Sequence, residues 1–216
     1  MNEPLNEKTK KESSIKFVLI GDKKVGKTTL AERYINNKVI QQYIETIGIE
    51  IYPANTTINN KNFKIIIIDT PNNKQFRNII NNEYELANYA FIIFDITNRD
   101  SFNSVNDWIN HCRSSGNENM DLILIGNKSD LDQNRTVTRK EAIKLASDNN
   151  MRYYEISANN RNAIENIFND AVTNLFNKIH DDYDKLRATT QNNIQTPNVS
   201  IRLSNNYIGN KKCCCQ

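Results

Sequence analysis

The segment Gly21-Asp22-Lys23-Lys24-Val25-Gly26-Lys27-Thr28 constrains this chain more than any other. It fits the spacing G-x-x-x-x-G-K-[ST]. It also stands between an apolar, β-branched run at 15–20 and a stretch at 28–36 with Leu30 and Tyr34 at helical spacing. A strand that turns through such a loop into a helix brings backbone N–H groups and the positive end of the helix dipole to one point. That point is an anion site. Glycine lets the main chain close on phosphate oxygens, Lys27 has the reach for β- and γ-phosphates, and the Thr28 hydroxyl can ligate Mg²⁺. Gly21, Asp22, Lys23, Lys24, Val25, Gly26, Lys27, Thr28 and Thr29 are therefore candidate phosphate-binding positions. Alone, the loop does not separate ATP from GTP, or a kinase from a switch.

The rest of the chain alternates strand and helix signals. Two β-rich stretches, 47–58 and 63–68, flank an Asn-rich hairpin turn at 59–62. Buried strands are expected at 89–94, 122–125 and 153–156. One amphipathic helix is expected through Phe102, Val105, Trp108 and Ile109, and Thr138 with Glu141 forms a capping box. Ile164, Ile167, Phe168, Ala171, Val172 and Leu175 stripe a final helix, whose periodicity fades beyond about Asp182. This pattern predicts a six-stranded, mostly parallel α/β sheet with one antiparallel strand and helices on both faces. It divides the chain into a polar leader at 1–13, one domain at 14–180 and a flexible tail at 181–216. The leader has no apolar core and no apolar run approaches the ~20 residues of a membrane span, so neither a secretion signal nor a crossing is expected. Lys+Arg 28 against Asp+Glu 25 is too even for a general nucleic-acid binder.

A second motif reads the base. Asn127-Lys128-Ser129-Asp130 follows the strand at 122–126, at its C-terminal end, where open α/β sheets bind ligands. A carboxylate there can accept both guanine N1–H and the exocyclic amine, a pair of donors that adenine lacks on that edge. Asn127 can bond N7, the Lys128 stem can lie over the ring, and Ser157 and Ala158 can offer backbone N–H groups to O6.

With these motifs in this order, the chain resembles the Ras superfamily of small GTPases, most closely its Rab branch, over about 15–179. The Rab character lies in Tyr43-Ile44-Glu45-Thr46-Ile47-Gly48, in Phe94-Asp95-Ile96-Thr97, in Ser101-Phe102 with Trp108, and in the cysteine-rich end. The resemblance implies the small-GTPase form of the P-loop NTPase fold, GTP or GDP as ligand, and Mg²⁺ held by Thr28, Thr46 and, through water, Asp69. Thr46 would sense the γ-phosphate and Tyr43 would close over the phosphates. Lys27, Thr46 and Asn73 would be the catalytic positions, and Tyr43, Ile44, Glu45, Thr46, Ile47, Gly48, Ile49, Glu50 and Ile51 the effector region. A monomeric switch in vesicle traffic follows, served by an exchange factor, a GAP, effectors, a prenyl transferase and an escort or GDI-type carrier. A guanine-nucleotide-binding scaffold that does not cycle is the competing reading.

Several residues depart from that family. Relatives usually read Asp-Thr-Ala-Gly-Gln-Glu after the third strand, and this chain reads Asp69-Thr70-Pro71-Asn72-Asn73-Lys74. Asn72 stands for the glycine that donates to the γ-phosphate, and Asn73 is one methylene shorter than the glutamine that orients water. A shortfall of ~1 Å in positioning costs ~10²-fold in rate, so slow hydrolysis is expected. Lys23 and Lys24 stand where relatives often carry glycine or small residues and would crowd an incoming arginine finger or the water-orienting amide. The competing reading is that a lysine ammonium itself stabilises the transferred charge. Val39 replaces an aromatic beside the base, Asn159 replaces a lysine, Ile51 and Ile68 stand at two of the aromatic positions that effectors read, and only Tyr84 remains.

Cys213, Cys214 and Cys215 precede Gln216 and follow Lys211-Lys212. Adjacent cysteines lack the spacing to surround a metal and suit thioether-linked isoprenoid instead. Two lipid chains would anchor the protein stably to the cytoplasmic face of an intracellular or plasma membrane. A C-a-a-X reading with Cys213 alone modified stays open. Cys112 and Trp108 read as packing residues of one helix, and His111 and His180 as surface or packing histidines.

Overall fold

In the computed structural model, residues 14–38, 45–58, 60–71, 77–115 and 118–191 are described. The elements run β1 (Ser14–Ile20), α1 (Lys27–Asn36), β2 (Glu50–Ile58), β3 (Lys61–Asp69), α2 (Arg77–Leu86), β4 (Tyr89–Asp95), α3 (Arg99–Asn103), α4 (Val105–Ser115), β5 (Asp121–Asn127), a 3-10 segment (Ser129–Asn134), α5 (Arg139–Asp148), β6 (Arg152–Glu155) and α6 (Arg161–Gln191). The sheet has six strands in the order β2-β3-β1-β4-β5-β6. β2 runs antiparallel to β3, from Glu50 opposite Asp69 to Ile58 opposite Lys61. The other four pairings are parallel.

Because β1 lies between β3 and β4, the chain winds to one side of β1 and then to the other. The crevice at the carboxyl end of β1 is thus a topological switch point, the ligand position of open α/β sheets. Gly21, Asp69, Asp95 and Asn127 all fall at that edge, since Leu19 pairs with Asp69 and Asp95 with Asn127.

The period of two along the strands divides the core. Ile15, Phe17 and Leu19 face one side with Leu30, Ala31, Phe168, Ala171 and Val172 of α1 and α6. Val18 and Ile20 face the other with Tyr84, Val105, Ile109 and Cys112, together with Ala142 and Ala146 of α5. Phe17 stacks on Tyr89 at 5.2 Å and meets Phe168 edge-on at 4.9 Å. β4 is buried along its whole length, as a central strand covered on both faces must be.

Besides α2, which the sequence pattern did not mark, three boundaries differ from the sequence expectation by more than two residues or by a break. β2 begins at Glu50 rather than 47, because β3 ends at Asp69 and no partner remains for residues 47–49. The helix expected through Phe102 and Ile109 is two helices divided at Ser104, whose hydroxyl bonds back to the Asp100 carbonyl at 3.1 Å. α6 continues to Gln191, past the expected end near 180. Nothing from 181 to 191 is glycine or proline, and extending a formed helix gains one hydrogen bond per residue. His180 and Asp184 pair across one turn of that extension at 3.1 Å. β2 is an outer strand, and Pro53, exposed, sits in its middle opposite Ile66. Among the described residues no helix is long and apolar enough to cross a membrane.

Candidate functional site

The loop after β1 is held open by two glycines in the left-handed region. Gly21 has φ +140°, and a Cβ there would lie 2.1 Å from the Ile93 carbonyl oxygen. Gly26 has φ +99°, and its Cβ would lie 2.3 Å from the Asn127 amide nitrogen. That amide donates to the Val25 carbonyl at 2.8 Å, so β5 braces the loop from behind. Lys24 occupies a left-handed turn, φ +65°, without being glycine. No side chain caps the N-terminus of α1 at Gly26, which leaves its first N–H groups open to an anion. Lys27 opens that helix almost fully buried, its Nζ donating to the carbonyls of Gly21 at 2.8 Å and Asp22 at 3.0 Å. Burial pushes its ammonium down to about 8, against the opposing pull of the Asp69 and Asp22 carboxylates.

Three oxygens converge beside Lys27. Thr28 Oγ1 lies 3.0 Å from Thr46 Oγ1 and donates to Asp69 Oδ2. Asp69, ending β3, is completely buried, and its Oδ1 is buried without a hydrogen-bond partner. Burial raises its carboxyl to about 6, which the Thr28 hydrogen bond and the Lys27 charge only partly offset. Two hydroxyls and a carboxylate with a spare oxygen are hard donors of the kind Mg²⁺ takes, so the residues present fit that ion.

The base-reading residues lie on the far side of the loop. Asn127 is buried at the end of β5, and Lys128 follows with φ +65°. Asp95, at the end of β4, binds Lys128 Nζ at 2.6 Å with one oxygen. Its other oxygen accepts from the Thr97 N–H and hydroxyl at 2.8 and 2.7 Å. Asp130 is exposed and accepts from the Asn159 amide at 3.2 Å, while Asn159 N–H bonds Ser157 Oγ at 3.1 Å. Ser129 N–H reaches the Ile156 carbonyl at 3.0 Å, so the segments around 128 and 158 form one unit. Arg33 of α1 joins them through the Asn159 carbonyl at 3.2 Å.

Sequence reasoning passed over three of these partners. Asp95 could have been found as a charged residue closing a wholly apolar strand. Asn159 was visible only as a replaced lysine. Trp108 does pack into the core, but its indole N–H also donates to the Asp22 carboxylate at 2.8 Å, a contact that no periodicity marks. The aromatic surface needs correction: Tyr84 is completely buried against α4, its ring 5.2 Å from that of His111, and so is not a surface aromatic. Ile68 is buried as well, whereas Ile51 is 60% and Ile47 82% exposed. Ile49 packs against the second core cluster. Cys112 is a packing residue whose thiol burial pushes up to about 12. Tyr43, Ile44, Val39, Asn72, Asn73, Cys213, Cys214 and Cys215 lie outside the described residues.

A family model described as the Ras family matches residues 16–177, a span that includes every one of the converging groups. The chain is 33% identical over 165 residues to "Ras-related protein Rab-4" of Dictyostelium discoideum, covering 76% of this chain and 80% of that protein. It is 34% identical over 171 residues to "Ras-related protein Rab-2B" of the same organism, covering 79% and 85%. It is also similar to "GTP-binding protein ypt3" of Schizosaccharomyces pombe, 36% identical over 161 residues, covering 74% and 75%.

Proposed function

Since the chain belongs to the Rab branch of the Ras superfamily of small GTPases, we propose that it is a Mg²⁺-dependent guanine-nucleotide switch of membrane traffic that hydrolyses GTP slowly on its own. The observation that carries the nucleotide site is the convergence of Thr28, Thr46 and the spare oxygen of Asp69 beside the buried Lys27. Lys27 and the open N-terminus of α1 bind the phosphates. Thr28 and Thr46 would hold the ion directly and Asp69 through water. The bound ion would neutralise charge on the β- and γ-phosphate oxygens. Asp130 selects guanine through its two oxygens, and Asp95 keeps the Lys128 ammonium off the ring, so that the aliphatic stem faces the base.

Slow turnover rests on Asn73. An asparagine side chain is one methylene shorter than the glutamine relatives use to orient water, and asparagine at 72 adopts positive φ less freely than glycine. Single-turnover hydrolysis by purified protein should be slow, and Asn73→Gln should raise the rate at least about tenfold. Equal rates at an ordinary level would overturn the slow-turnover reading. Retention of GDP against excess ATP tests the nucleotide reading separately. Exchange factor, GAP, effectors and a carrier for the lipidated form are its partners in this scheme, with Cys213, Cys214 and Cys215 as the anchor. Mass spectrometry of the mature terminus distinguishes double geranylgeranylation from modification of Cys213 alone.

A further inference from the structure

Asp22 brings a negative charge into a loop built for an anion. Here it is tied down: its Oδ1 accepts the indole N–H of Trp108 at 2.8 Å, across 86 positions of sequence. Trp108 sits on α4, 7% exposed, in the same core cluster as Ile109 and Cys112. Its N–H donates only, and the ring cannot move without disturbing that packing. The main-chain oxygen of the same Asp22 accepts Lys27 Nζ at 3.0 Å. One loop residue is therefore gripped by α4 through its side chain and grips the phosphate-binding lysine through its backbone.

We propose that Trp108 is a positioning residue for the phosphate loop, holding Asp22 against α4 and thereby setting how fast nucleotide leaves. This rests on the guanine-nucleotide reading above. It carries a corollary: Trp108 is the only tryptophan of the chain, so its emission reports directly on this contact.

The test uses the full-length protein loaded with fluorescent mant-GDP. Wild type should retain the nucleotide. Trp108→Phe and Asp22→Ala should each speed its release about tenfold, the size of one hydrogen bond to a charged group. The double variant should also be about tenfold faster rather than about a hundredfold, because both changes remove the same contact. Asp22→Asn keeps an acceptor oxygen and should recover most of the retention lost in Asp22→Ala. Tryptophan emission should shift in Asp22→Ala and hold in Asp22→Asn. If wild type fails to retain mant-GDP, the nucleotide reading falls and this inference with it. Retention by wild type with unchanged release in Asp22→Ala, fully additive effects in the double variant, or unshifted emission in Asp22→Ala each overturn the inference alone.

Discussion

Gly21 and Gly26 are not equivalent, although both hold a left-handed φ. A methyl at 21 meets a main-chain carbonyl of β4, which cannot move without shifting a central strand. A methyl at 26 meets the Asn127 side-chain amide, which can yield by giving up its bond to Val25. Gly21→Ala should therefore cost roughly 3 kcal/mol or more in urea unfolding. Gly26→Ala should cost less and act mainly by abolishing nucleotide retention; equal stability losses for the two would contradict this. The placement of these glycines, and of Lys27, Thr28, Asn127 and Asp130, at and just beyond the ends of strands was legible because short motifs mark it within a few consecutive residues. The Asn159–Asp130 and Trp108–Asp22 contacts were not, since they join residues 29 and 86 positions apart and no local pattern marks either partner. Lys24 lies between these cases: the sequence marks it as a missing glycine, and its backbone keeps a glycine-like φ.

At the level of elements, hydrophobic period served wherever an element touches the core and lapsed where it does not. The stripe of α6 ends at Leu175, yet the helix runs 31 residues, ~46 Å, because backbone bonds extend a formed helix without needing the stripe. The division at Ser104, whose hydroxyl and N–H both bond the Asp100 carbonyl, leaves the apolar spacing of α3 and α4 intact. The start of α5 was plain from Thr138 and Glu141. Thr138 Oγ1 accepts from Glu141 N–H at 3.3 Å, and Glu141 accepts from Thr138 N–H at 2.9 Å. Arg99, and then the Thr138 hydroxyl and N–H, hold the Glu141 carboxyl down at about 2, below its ordinary 4.5. Its contribution to stability is therefore complete above pH 4.5 and is lost as pH falls toward 2. Thr138→Ala should cost about 1 kcal/mol at neutral pH. Glu141→Gln should lower stability at neutral pH and flatten its decline in acid, as read from urea midpoints across pH 2–6. An unchanged acid limb would argue that the carboxylate is not held as described.

Across the whole molecule, one edge of the sheet gathers Gly21, Asp69, Asp95 and Asn127 from four strands, and a ligand there ties both halves of the fold together. Removing nucleotide with a chelator present should lower the melting temperature by roughly 5–10 °C. Asp69→Asn should no longer respond to the chelator, and a wild-type melt indifferent to both would overturn the site. The mostly parallel sheet with one antiparallel strand followed from alternating strands and helices after an early hairpin, whereas its strand order is given by the structure alone. The two open edges of that sheet have a separate consequence. β6 has only four residues, too short to recruit another strand. β2 has nine, and an outer strand of that length is a template on which a second chain can polymerise. Pro53 interrupts it: a ring nitrogen carries no hydrogen, so the outward row of donors has a gap at its centre. That gap keeps the rim from seeding fibres of this protein's own copies.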